Sequence, residues 1–118
     1  MPAPTVRDRL QHIVDAIDRI EAMWAGKGYQ DYVSDELRRL ATDRLLEIIS
    51  EASRYVPDQD KADHPETPWL QIRRFGNIMR HFYERVDHQE VWQIITLDLP
   101  ALKVVITSII AKHEQPGS

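Results

Sequence analysis

Val104-Val105-Ile106-Thr107-Ser108-Ile109-Ile110 is the stretch whose reading decides the fold. Almost every residue in it is β-branched, which is the composition of a strand. A strand needs a partner, however, and nothing else in the chain would pair with it. Leu102, Val105, Ile106, Ile109 and Ile110 also recur at spacings of three and four, the period of a helix face. Helix is therefore the reading, and it makes the whole chain all-α.

The rest of the chain has the same period. Thr5, with Asp8 three residues on, forms a capping box that opens a first helix, and Leu10, Ile13, Val14, Ile17, Ile20 and Trp24 make its apolar stripe. Gly26-Lys27-Gly28 stops it. A second helix begins near Asp31 or Ser34, with Leu37, Leu40, Ala41, Leu45, Ile48, Ile49, Ala52 and Tyr55 as its expected buried face, and ends at Pro57. Residues 56–68 hold three prolines and several charges and read as a loop. Thr67-Pro68 caps a third helix bearing Ile72, Phe75, Met79, Phe82 and Val86. Asp87 and Glu90 form a second capping box ahead of Val91, Ile94 and Ile95, and Pro100 interrupts the pattern before the stretch quoted above. The expectation is one domain over residues 1–118, an antiparallel bundle of four to five helices with the last one broken near Pro100.

Composition removes several functional classes. Hydrophobic residues make up 42% and charged residues 29%, enough apolar surface for a core and too much for a disordered chain. A net charge of -4 gives no overall attraction to nucleic acid, so any such role rests on a local basic patch. There are no cysteines, which excludes disulfides and thiolate zinc sites. Met1-Pro2-Ala3-Pro4 lacks the pattern of a signal peptide, and no apolar run approaches the roughly 20 residues of a membrane span. A cytoplasmic protein with no membrane segment is expected.

The third helix carries the chemistry. At 100° per residue, Arg74, Asn77, His81 and Arg85 fall in a narrow sector, well over 90° from the apolar stripe. Histidine exchanges protons near neutral pH, and arginine clamps phosphate and neutralises charge building on it. A ribonuclease needs a base for the ribose 2′-hydroxyl, a cation for the phosphorane and an acid for the leaving oxygen. One chain offers one histidine on this ridge, and a two-fold dimer would supply both acid and base. Ile78 on the same ridge suits a dimer seam. By geometry alone, a solvated face is the commoner reading of such a ridge. Glu51 on the second helix is in a position to reach it or simply to meet solvent, and Arg38, Arg39 and Arg44 read as a solvated face. His64, His88 and His113 have no ligand-like spacing, and His12 near Asp15 and Asp18 on the first helix is a weak metal pattern, so no metal is expected.

Trp69-Leu70-Gln71-Ile72-Arg73-Arg74-Phe75-Gly76-Asn77-Ile78-Met79-Arg80-His81-Phe82-Tyr83 resembles the HepT-like branch of the HEPN superfamily, whose pattern places a Trp, an Ile three residues on, then Arg-Asn, three residues, His, any residue and Tyr. Ile48-Ile49-Ser50-Glu51-Ala52, Val86-Asp87, Val91-Trp92 and Asp98-Leu99-Pro100 resemble the family's flanking motifs, so the resemblance covers nearly the whole chain. It implies a helical bundle that dimerises around this helix, a metal-independent ribonuclease without a cofactor, and a toxin whose antitoxin is a minimal nucleotidyltransferase. It also implies that His81 is the acid/base residue and that the antitoxin transfers AMP to Tyr83. The family arginine directly before the asparagine is Gly76 here. Arg74 satisfies the looser spacing of six intervening residues, about 10 Å along the helix from His81, with Arg73 and Arg80 as rivals. A non-catalytic HEPN dimer that binds the nucleotidyltransferase or nucleotides is the alternative, which Gly76 favours.

Overall fold

The computed structural model describes residues 2–81 and 87–114, with side chains for 2–75 and 87–114. Helix α1 (Val6–Trp24) opens as the sequence indicates: Asp8 N–H donates to Thr5 Oγ1 at 3.0 Å, and Thr5 N–H donates back to Asp8 Oδ2 at 2.9 Å. It closes where Gly26 takes φ +73, a left-handed conformation that costs glycine little, and Lys27 N–H reaches the Trp24 carbonyl. Leu10, Ile13, Ala16, Ile17, Ile20 and Trp24 are all buried.

The expected second helix is two helices. A short α2 (Tyr29–Ser34) is followed directly by α3 (Glu36–Ser53), which Asp35 caps by accepting from Arg38 N–H at 3.0 Å. The expected buried face of α3 is also corrected. Leu37 is 80% exposed, and Leu40, Ala41 and Tyr55 face solvent, while Leu45 and Ile48 are half-buried. The inward positions are Thr42, Leu46, Ile49, Ser50, Ala52 and Ser53. Hydroxyl side chains go inside because each finds a partner. Thr42 Oγ1 accepts from Trp24 Nε1 at 2.9 Å and donates to the Arg38 carbonyl at 2.8 Å, and Ser53 donates to the Ser50 carbonyl at 2.7 Å. Ser50 donates to the Arg73 carbonyl, tying α3 to the next long helix. Counting apolar letters missed this, because small hydroxyl residues let α3 sit close to its neighbours.

The 56–68 loop contains a six-residue helix, α4 (Asp58–Asp63). Buried Asp60 anchors it, meeting His113 Nε2 at 2.8 Å and Lys112 Nζ at 3.1 Å. Helix α5 (Trp69–His81) starts one residue later than expected: Pro68 offers its carbonyl to Ile72 N–H at 3.0 Å and so stands just outside the first helical position. Ile72 and Phe75 are buried as read; Met79, Phe82 and Val86 lie outside the described side chains.

Asp87 caps α6 (His88–Gln93) by accepting from Gln89 N–H at 2.8 Å. The interruption expected at Pro100 is a π-helical segment, Ile94–Asp98, which leads without a break into α7 (Leu99–Glu114). Leu99 N–H donates five residues back to the Ile94 carbonyl. The wider turn absorbs a residue that has no N–H and whose ring would clash with an α-helical carbonyl. The helix therefore runs continuously from His88 to Glu114, 27 residues with a mean hydropathy of 1.9 over its most apolar 18-residue window. By length and composition alone it is long and apolar enough to cross a membrane, which corrects the expectation that no segment reaches that size. Its Leu99, Leu102, Ile106 and Ile109 are core residues of the bundle.

The β-branched stretch is helical, and no strand occurs among the described residues. The long helices pack in series: α1 against α3 and α7, and α3 against α5. A cleft lies between α5 and α7. At one end, Trp24, Tyr32 and Trp92 pack in tilted and edge-on contacts with ring centroids 5.2–5.9 Å apart, joining α1, α2 and α6.

Candidate functional site

Ile72 and Phe75 turn α5 inward, which leaves Arg73 and Arg74 exposed on its outer side. The helical backbone continues unbroken to His81, so positions 74, 77 and 81 follow one another on the same face by helical period. The side chains of Asn77, Ile78, Arg80 and His81, and all of Tyr83 and Arg85, lie outside the described residues, and Gly76 is described by its backbone alone.

Arg74 lines a groove of about 310 Å³ together with Gln71 on its own helix and Glu90, Gln93 and Asp98 on the facing one. Helix α6 and the π segment together build that far wall. A second cavity of about 360 Å³ lies between α5 and α7, under Glu66 and Thr67, with Ile72, Leu99, Leu102 and Val105 as its apolar lining. The two cavities meet at Phe75 and Asp98, which line both. Loss of water around the Asp98 carboxyl raises its pKa above the usual carboxylate value. Asp98, Gln71, Glu90 and Gln93 were not singled out as functional residues from the sequence. The available signal was a proline inside an otherwise helical pattern, which marks an irregular turn there.

The other residues named from the sequence are placed as follows. Arg73 offers its carbonyl to Ser50 while its side chain is exposed. Glu51 is exposed and pairs with Arg54 at 3.6 Å. Arg39 turns inward, donating to the Tyr32 carbonyl at 3.0 Å and to the Val33 carbonyl, whereas Arg38 and Arg44 pair locally with Asp35 and Glu47. Arg39 also lowers the pKa of half-buried Asp43, but burial outweighs it and pushes that carboxyl up to about 6. His88 packs against the Tyr32 ring at 5.6 Å, His113 pairs with Asp60, and His64 lies 3.5 Å from Glu66. Among the described residues, no three His, Asp or Glu side chains come together in a way that would hold a metal ion.

Arg74 thus stands at a polar groove with Glu90 and Asp98, on a helix that brings a histidine position onto the same face. The chain is similar to several proteins described as ribonucleases. "Probable ribonuclease HepT" of Thermococcus cleftensis is 36% identical over 97 residues, covering 82% of this chain and 88% of that one. "Putative RNase MJ1380" of Methanocaldococcus jannaschii is 35% identical over 75 residues, covering 64% and 69%. "Putative RNase TTE0752" of Caldanaerobacter subterraneus subsp. tengcongensis is 28% identical over 110 residues, covering 93% and 98%. No solved structure matches the chain. The HepT-like family model, described as ribonuclease HepT-like, matches residues 13–109, which take in α5, the π segment and most of α7, and the chain belongs to that family.

Proposed function

We propose that this chain is a metal-independent endoribonuclease, the toxin of a toxin–antitoxin pair, and that α5 carries its catalytic groups. The observation that supports this most directly is Arg74, exposed in a polar groove on the helix face that also includes positions 77 and 81. In this reading His81 removes the proton from a ribose 2′-hydroxyl. The 2′-oxygen then attacks the adjacent phosphorus, and the 5′-oxygen leaves with a proton supplied by a second acid. Arg74 stabilises the phosphorane, with Arg73 and Arg80 as neighbouring cations, and Asn77 orients the imidazole or the phosphate. Glu51 has a supporting role at most, since its visible partner is Arg54.

The second acid comes from the partner in a homodimer. Exposed apolar residues along the π segment and α7, Leu97 at 66% and Val104 at 71%, together with Leu70 on α5, support such a seam. The antitoxin is a nucleotidyltransferase that transfers AMP to the Tyr83 hydroxyl, adding charge and bulk two residues from His81. Gly76, standing where the family has arginine, favours a second reading: a non-catalytic dimer that binds the nucleotidyltransferase or nucleotides.

Incubating purified chain with total RNA separates the two. Catalysis predicts cleavage that His81→Ala abolishes and Arg74→Ala reduces strongly, alongside growth inhibition lost in the same variants. Intact RNA with wild-type protein and harmless expression rejects it. Mass measurement of the Tyr83 peptide after co-expression with a neighbouring nucleotidyltransferase tests the AMP transfer.

A further inference from the structure

The cavity between α5 and α7 takes no part in the proposed catalysis, yet it opens beside Arg74. Its volume of about 360 Å³ lies in the range of ligand pockets, roughly 300–1,000 Å³. Its floor is apolar, formed by Ile72, Phe75 and Leu102, and its polar lining is buried Thr67 with exposed Glu66 and Asp98. The neighbouring groove is polar and carries Arg74 together with the carboxylates of Glu90 and Asp98. Phe75 and Asp98 belong to both. An arginine in a polar groove, next to an apolar slot with a carboxylate acceptor in its lining, can hold an unpaired nucleotide with its phosphate at the arginine and its base in the slot.

Resting on the ribonuclease reading above, we infer that this cleft receives an unpaired guanine base of an RNA strand whose phosphates pass Arg74, and that the Asp98 carboxylate reads the base edge. The choice of guanine follows from the acceptor. A carboxylate presents two acceptor oxygens and no donor. Guanine offers two adjacent donors on its Watson–Crick edge, N1–H and the N2 amino group. Adenine and cytosine place a ring acceptor beside their single amino group, and uracil flanks its one N–H with two carbonyls, so each of them sets an acceptor against the carboxylate. The raised pKa of Asp98 has the same origin as its strength as an acceptor for neutral donors, a partly dry setting at the cavity rim. The π segment is what puts Asp98 there, consistent with the use of such turns at functional sites.

The test is titration of the full chain with GMP, AMP, CMP and UMP in turn, followed through the methyl signals of Leu102 and Val105. GMP is expected to shift them and to bind roughly tenfold more tightly than the other three. D98N, at an exposed position, should retain the helical circular dichroism spectrum and lose that preference. A101W, which fills the cleft from its exposed rim, should abolish binding. The inference is overturned if no nucleotide moves these signals, if the GMP preference survives in D98N, or if the signals respond to dilution rather than to nucleotide, which would place a second copy over the cleft. Failure of the underlying reading looks different: GMP binding that depends on Asp98, in a protein that leaves RNA intact, rejects the ribonuclease and keeps the pocket.

Discussion

Ile13, Ile17 and Ile20 of α1 share one continuous core with Leu46 and Ile49 of α3 and Ile106 and Ile109 of α7, with essentially no contact with water. On the other side of the bundle, Ile72 and Phe75 of α5 line an open cavity with Leu102 and Val105. Both seams are built from apolar residues, aliphatic but for Phe75. They differ in what the backbone does beside them: α1, α3 and the later turns of α7 are regular helices, whereas the α5 seam faces the π segment. The closed seam gains full burial, worth about 1.5–3 kcal/mol per large side chain. On the α5 side Ile72, Phe75 and Leu102 are buried nearly as fully and only Val105 is half-buried, so that seam also contributes to stability while it keeps a solvent-reachable slot beside the groove that holds Arg74, Glu90 and Asp98. The candidate chemistry therefore lies on the side whose packing leaves that slot.

The comparison breaks most readily in the closed seam. Ile17→Ala should lower unfolding free energy by about 3–4 kcal/mol, measured by urea denaturation, because the surrounding helices cannot collapse into the space. A loss below about 1 kcal/mol would mean that the α1 seam is not the stabilising one. Thr42→Ala should cost about 1–3 kcal/mol, since it strands the Trp24 indole N–H inside the protein; Thr42→Ser, which keeps the acceptor, should recover much of it.

A smaller effect depends on pH. The Asp43 carboxyl, raised to about 6 in the fold against about 3.9 in an unfolded chain, holds its proton more tightly when folded. Stability should therefore fall as pH rises from about 4 to 6 and stay flat above that. Asp43→Asn removes this slope and should stabilise the protein at pH 7 by about 1 kcal/mol, after allowance for its partial solvent access. Asp60 has the opposite sign. The hydrogen bonds from His113 and Lys112 outweigh its burial and hold its pKa below the usual value, so its contribution is present above about pH 4 and is lost on further acidification. A pH–stability curve of wild type and D43N resolves the two windows. The smallest effect belongs to the open side: Leu97→Ser, at an exposed site, should change monomer stability by less than about 0.5 kcal/mol. A larger change, growing with protein concentration, would mark it as part of a seam between copies.

Much of this architecture was legible in the chain. The α1 stripe, its Thr5 cap and its Gly26 stop depend only on neighbours within a turn, and such local signals survive folding unchanged. The face of α3 was misread because Leu37 and Leu40 outrank Thr42 and Ser50 in hydropathy, although the hydroxyls have partners on other helices and the leucines do not. Helix α4 was missed because its anchor, Asp60, finds Lys112 and His113 some fifty residues away. For the candidate site, the exposure of Arg74 on α5 was readable from period alone, whereas the groove facing it was not.

The β-branched stretch from Val104 to Ile110 had its helical state determined by the sequence itself, through apolar spacing and the lack of any strand to pair with. Membership in the HepT-like ribonuclease family was likewise written in the motif around Arg74 and its flanks. What the tertiary structure decided was the fate of Pro100. A proline in a helical pattern is compatible with a break, a kink or a widened turn, and packing of Leu99 and Leu102 into the core selects the widened turn. That choice keeps the last helix continuous and sets Asp98 at the meeting of two cavities beside Arg74, a juxtaposition of residues 24 positions apart that no local rule contains.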